Sequence, residues 1–362
     1  MAYDGIAYGN RVDNFTERKL HAKVVDQVLS TPTYWSRVMG KGKPFVGKTM
    51  DVAVKISQDT QGEFFVGLET LNSAAVNTTI ALSYAQTAFT QPKVSVMLES
   101  FANTGSAATI PLDAYKYEEA AAEVLYRYGS TIYADGTANR PNGLGNIVLD
   151  SGTIGGQSRS TYSELDATVT ASGGTLTLTK MATLHDTISS GNDSPNIGVT
   201  TKTVWSLYEQ LLTPNVRASY NEVGYDKLPV RGDFASKNSS DLRNAAGFNS
   251  LSYRGFPIIK DDFCTAGYLY FLNEKYFYWA ARSIVPDEYK DFLTKVNLGT
   301  RKASEGTGFD ALDMPSEYNG WFYQKPLILP NQAGTIARFY VIGQMVATGF
   351  RRSGVLTGVT GV

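Results

Sequence analysis

One segment of the chain matches a motif that binds nucleotide phosphates. Residues 42–49 read Gly-Lys-Pro-Phe-Val-Gly-Lys-Thr, the full G-x-x-x-x-G-K-[ST] pattern. This motif needs a strand before the loop and a helix that begins at its lysine, because the helix N-terminus helps to hold the anion. Here a helical pattern precedes residue 42 and a strand pattern starts at Met50. We therefore expect a chance match, with a P-loop nucleotide-binding protein as an alternative.

The sequence offers few candidate residues for other catalytic or metal-binding chemistry. The chain has one cysteine, Cys264, and two histidines, His21 and His185, too few for an internal disulfide or a structural zinc site. No G-x-S-x-G nucleophile motif is present. Cys264 follows Phe263 in an apolar neighbourhood, which is typical of a buried, unreactive thiol. We expect no catalytic, cofactor-binding or metal-binding residues, no cofactor and no enzymatic activity.

The composition favours protein contacts over nucleic-acid binding. Charged residues make up 19% of the 362 residues, against about 25% in an average protein, and 22 residues are tyrosines. The net charge of −1 predicts at most loose, non-specific contact with DNA. Low charge with many tyrosines, glycines and threonines also suits an outer-membrane β-barrel, which is the second alternative.

The N-terminus lacks an apolar signal segment, so we expect a soluble protein made in the cytoplasm without a membrane contact.

The N-terminal half alternates between helical and strand periodicity. Apolar residues at helical spacing predict a helix at 15–29, and the short patch around Trp35 is interpreted as part of an arm rather than of a core. From Met50 the period becomes two, and it does so again in the 80s, which predicts a long hairpin. The outer part of this hairpin, residues 58–77, carries Phe64, Phe65 and Leu68. Apolar residues on a projecting hairpin need a partner surface.

The remaining pattern mixes helices and strands, which predicts an α+β fold. The strongest helical spacing starts at Asp113 and ends near 134, and further helices are predicted at 178–188 and 203–212. Strands are predicted at 256–259, 268–272 and 336–346.

In this order the elements resemble the major capsid proteins of tailed bacteriophages, whose shared fold is called the Hong Kong ninety-seven type. The resemblance spans residues 15–358 and includes the arm helix, the hairpin and the long helix. The supporting motifs are Gly-Leu-Glu-Thr-Leu at 67–71, Gly-Leu-Gly at 143–145, Gly-Gly-Gln-Ser-Arg-Ser-Thr-Tyr at 155–162, Gly-Phe-Pro-Ile at 255–258 and Tyr-Phe-Leu-Asn at 270–273. One departure is Gly-Gln-Met at 343–345, where relatives carry Gly-Asn-Leu, and we expect it to affect only a local turn.

The resemblance implies a division of the chain into parts. They are an N-terminal arm at 1–45, an extended β-hairpin loop at 46–92, a peripheral domain with a long spine helix at 93–140, an α/β axial domain at 141–274, the second part of the peripheral domain at 275–345 and a C-terminal segment at 346–362. It also implies a loop that reaches over a neighbouring subunit. Phe64, Phe65 and Leu68 in the loop, and Trp35 in the arm, are the predicted inter-subunit contacts.

The function implied by the resemblance is structural. Such a protein self-assembles into pentamers and hexamers of an icosahedral phage head that encloses double-stranded DNA, and it resides in the virion capsid. Its expected partners are other copies of itself, a portal and a decoration protein. Little chain precedes the loop, so a separate scaffolding protein, or none, is expected instead of a fused one. Some relatives are cross-linked through a loop lysine, but residues 58–77 contain no lysine, which predicts a shell without covalent links.

Overall fold

The computed structural model describes most of the chain. The described residues are 32–39, 42–74, 76–103, 112–136, 139–171, 173–212, 251–282, 293–295, 320–330 and 332–361. The predicted helix at 15–29 lies outside them. Within them the predicted α+β class is confirmed.

The described elements agree closely with the predicted periodicities. The helices are Thr33–Met39 (α1), Met97–Ala102 (α2), Leu112–Thr131 (α3), Leu144–Ile147 (α4), Leu178–Ile188 (α5) and Lys202–Leu212 (α6). The strands are Lys43–Phe45 (β1), Thr49–Lys55 (β2), Thr79–Ala85 (β3), Thr87–Val96 (β4), Thr153–Ile154 (β5), Gln157–Ser158 (β6), Thr168–Thr170 (β7), Gly174–Thr175 (β8), Ile197–Thr200 (β9), Leu251–Tyr253 (β10), Phe256–Lys260 (β11), Leu269–Leu272 (β12), Phe277–Arg282 (β13), Leu293–Lys295 (β14), Trp321–Ile328 (β15), Gly334–Ala347 (β16), Gly354–Leu356 (β17) and Val359–Gly361 (β18).

The first sheet is built around the long strand β16. Its order is β1-β13-β16-β15-β14, and β4 also pairs with β16. Gly343 pairs with both Thr87 of β4 and Ala281 of β13, so these two strands lie on opposite edges of β16. A Cβ at Gly343 would lie 2.4 Å from the Trp279 ring, which explains the glycine at this position. The Gly-Gln-Met motif at 343–345 therefore lies inside this strand, as the predicted strand at 336–346 indicates, and not in a local turn.

The helix α1 packs into the core, contrary to its interpretation as part of an arm. Trp35 is 1% exposed, stacks on Tyr128 of α3 at 4.9 Å and meets Trp279 of β13 edge-on at 4.9 Å. The backbone N–H of Tyr34 donates to the buried Asp261 carboxylate at 2.8 Å. Trp35 is therefore a core residue of its own chain, and the structure corrects its prediction as an inter-subunit contact.

The long helix α3 lies across one face of the first sheet. It begins at Leu112, one residue before the predicted start, and the backbone N–H of Leu112 donates to the side-chain oxygen of Asn103 at 2.9 Å. Its inward stripe consists of residues three or four apart, as an amphipathic helix requires. These buried residues are Ala120, Ala121, Val124 and Tyr128.

The second sheet is buried on both faces along its central strands. Its order is β10-β11-β9-β12-β17-β7. Along β12, Leu269 and Phe271 point to the cluster formed with α5 and α6, while Tyr270 and Leu272 point to the main core. This alternation explains the continuous apolar runs in these strands. The predicted C-terminal segment at 346–362 is not separate from this sheet, because β17 pairs with both β12 and β7.

Candidate inter-subunit surface

The hairpin formed by β2 and β3 carries the predicted contact residues. The strands pair from Thr49 opposite Ala85 to Lys55 opposite Thr79, which confirms the predicted hairpin. Alternate residues are partly buried and exposed, as the period of two indicates. The pairing ends at Lys55, so the outer part of the hairpin lies beyond the ladder.

The tight turn between β5 and β6 supports the base of the hairpin. Gly155 and Gly156 adopt positive φ values of 55° and 80°, which glycine adopts without a steric penalty. The Gly155 carbonyl accepts a hydrogen bond from the Ser83 backbone N–H at 2.9 Å, and a Cβ on Gly155 would lie 2.7 Å from the Leu82 Cβ. The Gly-Gly pair therefore lets this turn approach β3 and fix the direction in which the hairpin projects.

Polar contacts alone link the described parts of the outer hairpin. The backbone N–H of Asn72 donates to the Glu63 carboxylate at 2.6 Å, and the Asn72 side chain also donates to Gln61. The Ala74 backbone N–H donates to the Asn72 side-chain oxygen at 3.0 Å. These contacts hold two extended segments side by side without an apolar core between them.

The apolar side chains of this segment project into solvent. Phe64 and Leu68 are fully exposed, at 107% and 108% of their reference areas, and Phe65 is 58% exposed. Val66 and Leu71 are also exposed. We call Phe64, Phe65, Val66, Leu68 and Leu71 the hairpin tip. A cluster of exposed apolar residues on a thin projection is typical of a contact site, so the exposure expected from sequence is present in the structure.

A second group of exposed apolar residues, which the sequence analysis missed, lies at the end of the first sheet. Val94, Val96 and Leu327 point to one face of the sheet and Ile328 to the other, and Leu98 and Phe101 follow β4. We call these six residues the sheet-end patch. Leu98 and Phe101 belong to the short helix α2, in which no residue is buried. The signal in sequence was weak because the contributing strands are more than 220 residues apart along the chain.

A polar cluster joins α1 to the connection between the two sheets. The Arg37 guanidinium donates to both oxygens of Glu274, at 2.6 and 2.8 Å, while the Glu274 backbone N–H donates to the Asn196 side chain at 2.9 Å. The Glu274 side chain is only 3% exposed. The neighbouring carboxylate raises the pKa of the Arg37 guanidinium despite the opposing effect of burial. This bidentate pair stabilises the arrangement of α1 on the sheets.

The residues that the sequence offered for other chemistry lie in surroundings that do not suit a phosphate-binding or catalytic site. Lys48 is exposed, and the strand β2 begins at Thr49 where a phosphate site needs a helix. The Gly47 carbonyl accepts from the Gln86 side chain at 2.9 Å. Cys264 is buried, and burial raises the pKa of its thiol. His185 stacks on the Phe256 ring at 6.0 Å.

Among the described residues no three His, Cys, Asp or Glu side chains come together as metal ligands would. No helix in the same part of the chain combines the length and the hydropathy needed to cross a membrane.

Comparisons with known proteins find relatives in structure only. No protein-family model and no curated protein matches the sequence. The capsid subunit of cyanophage A-1(L) matches with a TM-score of 0.63 at 16% identity, over 97% of this chain and 99% of that one. The capsid of the native GTA particle matches with a TM-score of 0.60 at 9% identity, over 99% of this chain and 100% of that one. The holo-SrpI encapsulin complex of Synechococcus elongatus PCC 7942 matches with a TM-score of 0.57 at 11% identity, over 99% and 96%. Over the residues that the structure describes, therefore, the chain has the Hong Kong ninety-seven-type fold of tailed-phage capsid subunits.

Proposed function

We propose that this chain is the major capsid protein of a tailed bacteriophage. It assembles into the pentamers and hexamers of an icosahedral head that encloses double-stranded DNA. The observation that carries this proposal is the end-to-end match to shell subunits, which includes the projecting hairpin as well as both sheets. The role is structural, without catalysis.

The hairpin tip supplies the contact between subunits. A tip that projects from one part of the molecule and binds a different part of the next copy makes a head-to-tail interface, which closes into rings when the rotation between copies allows it. Burying one phenylalanine side chain contributes about 2 kcal/mol. The tip thus contributes a few kcal/mol per contact, and the contact is repeated at every subunit of a shell.

The two sheets belong to different domains of such a shell subunit. We assign the first sheet with α3 to the peripheral domain of the capsomer, and the second sheet with α5 and α6 to the axial domain at its centre. The turn between β5 and β6 then lies where the hairpin leaves the subunit. Fully buried strands in the second sheet suit a body that keeps its shape while its outer loops contact neighbours.

The charge of the chain suits a container for DNA. With 33 basic and 34 acidic residues the chain has a net charge of −1, so it binds phosphate weakly and without sequence preference. Packaged DNA can then enter and leave. A portal, a decoration protein and a separate scaffolding protein are the further partners of such a head, which forms in the host cytoplasm and becomes the virion capsid.

Sedimentation of the purified chain tests this function. We expect fast-sedimenting particles above a threshold protein concentration, whereas a chain that stays monomeric over the same range would contradict the proposal. One of the matched structures is an encapsulin complex, so a shell alone does not identify the content. Virions that contain the chain should protect double-stranded DNA from nuclease, and particles without protected nucleic acid would contradict the role in a phage head.

A further inference from the structure

Gln344 is a buried glutamine whose side-chain amide is bonded to three backbone groups. Its exposed fraction is 7%. The side-chain Nε2 donates to the Ala85 carbonyl at 2.9 Å, while Oε1 accepts from the backbone N–H of Asn142 at 2.7 Å and of Met345 at 3.0 Å. Withdrawing a partner from a buried polar group costs free energy, so this amide holds the three groups at fixed distances.

The three bonded groups belong to three different parts of the molecule. Ala85 is the last residue of β3 and so the end of the hairpin. Met345 lies in β16, at the centre of the first sheet. Asn142 precedes α4 and opens the segment that leads to the second sheet. One side chain therefore sets the positions of the hairpin, the first sheet and the entry to the second sheet relative to one another.

The contact lies where the chain passes from the hairpin into the first sheet. Only Gln86 separates β3 from β4, and the ladder between β4 and β16 ends with Thr87 opposite Gly343. Gln344 is the next residue of β16, and its side chain bonds the hairpin beyond the last pair of backbone partners. The glutamine thus continues, through its side chain, a connection that the ladder between β4 and β16 no longer makes.

The segment that begins at Asn142 braces the same hairpin at a second point. It contains the turn between β5 and β6, where the Gly155 carbonyl accepts from the Ser83 backbone N–H at 2.9 Å. Between the two points, the Asn142 side chain accepts from Asn146 at 3.2 Å, and the Asn146 carbonyl accepts from the buried Arg159 at 2.8 Å. The buried glutamine therefore anchors the start of this brace as well as the end of the hairpin.

A small rotation at this point moves the hairpin tip a long way. The ladder of the hairpin runs from Ala85 to Thr79, which is about 20 Å, and the tip lies beyond it. A rotation of about 10° at Ala85 displaces the end of the ladder by about 3 Å, and the tip by more. Displacements of that size separate apolar side chains from a partner surface, so a tip held at one angle binds with a smaller ordering cost.

We infer that Gln344 is the positioning residue of the hairpin. It holds the hairpin at one angle to the first sheet in the free subunit, through Ala85 directly and through Asn142 by way of the brace. The subunit then presents a preorganised tip to its neighbour. The inference rests on the proposed function, and it assigns a role in assembly to a buried side chain rather than to an exposed one.

Spin labels on the free subunit test this role. Lys55→Cys in β2 and Ala122→Cys on α3 place labels at exposed positions of the hairpin and of the body, and the native Cys264 is buried. Pulsed electron paramagnetic resonance should give a narrow distribution of label distances when the rest of the chain is wild type. Gln344→Leu removes the amide and keeps a side chain of similar size, and it should broaden that distribution by about 3 Å.

A second buried glutamine in the same sheet provides the matched control. Gln324 of β15 is 5% exposed and accepts from the Tyr340 hydroxyl at 2.8 Å. Gln324→Leu should leave the distance distribution narrow. The milder variant Gln344→Asn keeps a polar amide but is one methylene too short to bond both Ala85 and Asn142, so it should fold and still broaden the distribution. A narrow distribution in both Gln344 variants, or equal broadening by Gln324→Leu, would overturn the inference.

Sedimentation then links the angle of the hairpin to assembly. Gln344→Leu should raise the protein concentration needed for particles by about tenfold, and Gln324→Leu should change it by less than about twofold. Equal concentrations for the two variants would overturn the role in assembly, because a general loss of stability affects both alike. A wild-type chain that never assembles would instead reject the proposed function itself, whereas the label distances are measured without assembly.

Discussion

Replacing Phe64 and Phe65 with serine should leave the subunit folded and prevent its assembly. Both side chains project from the hairpin tip, and Phe64 has no area buried in its own chain. Exposed substitutions of this kind change the free energy of unfolding by about 0.5 kcal/mol or less. The melting temperature of the unassembled subunit should therefore shift by less than about 2 °C.

The effect on assembly follows from the exposed fractions of the two rings. Phe64 can bury its whole side chain against a neighbour, which contributes about 2 kcal/mol, and Phe65, at 58% exposed, contributes about 1 kcal/mol more. A loss of about 3 kcal/mol per contact weakens that contact by about 100-fold. Because a closed shell needs every such contact, the double variant should remain unassembled at concentrations where the wild type forms particles.

Thermal melting and sedimentation of the same samples separate the two effects. The conservative variant with leucine at both positions keeps the apolar area and should assemble nearly as the wild type does. By contrast, Trp35→Ala removes a core ring and should lower the free energy of unfolding by about 3–5 kcal/mol. The reasoning is refuted if the serine variant melts far below the wild type as a monomer, or if it forms normal shells.

Three further predictions concern other parts of the chain. Glu274→Gln should lower the free energy of unfolding by about 2 kcal/mol in urea titrations, because the largely buried Arg37 loses its carboxylate, and an unchanged unfolding midpoint would contradict this. Lys48→Ala should assemble normally, and calorimetry should detect no ATP binding to the wild type, whereas micromolar affinity abolished by the substitution would restore the P-loop hypothesis. Mature particles boiled in detergent should run as monomers on a denaturing gel, since residues 58–77 contain no lysine, and a ladder of multimers would disprove the absence of cross-links.

Local periodicity predicted many of the longer elements. The alternation from Met50 predicted the hairpin, and the helical spacing at 178–188 predicted α5 with the same bounds as the structure. The exposed apolar tip at Phe64 and Phe65 was also predicted from sequence, because a projecting hairpin offers these two side chains too few partners of its own. Local signals succeed where the neighbours along the chain decide the structure.

Contacts between distant residues escaped prediction. Trp35 lies in a short apolar patch, and its sequence is the same whether the patch contacts a neighbouring subunit or the core of its own chain. Its contacts with the distant residues Tyr128 and Trp279 place it in the core. The Arg37–Glu274 pair joins residues 237 positions apart. The sheet-end patch was missed for the same reason, since its members come together only through the pairing of β4 and β15 with β16.

A reconstruction of the purified assembly by electron cryomicroscopy tests the central claim most directly. The account predicts a closed icosahedral shell of pentamers and hexamers, in which each hairpin tip is covered by an adjacent subunit and the second sheet lies toward the capsomer centre. Particles of another symmetry with the tips in solvent would contradict it. So would a sample that stays monomeric at concentrations well above those at which shell-forming proteins assemble.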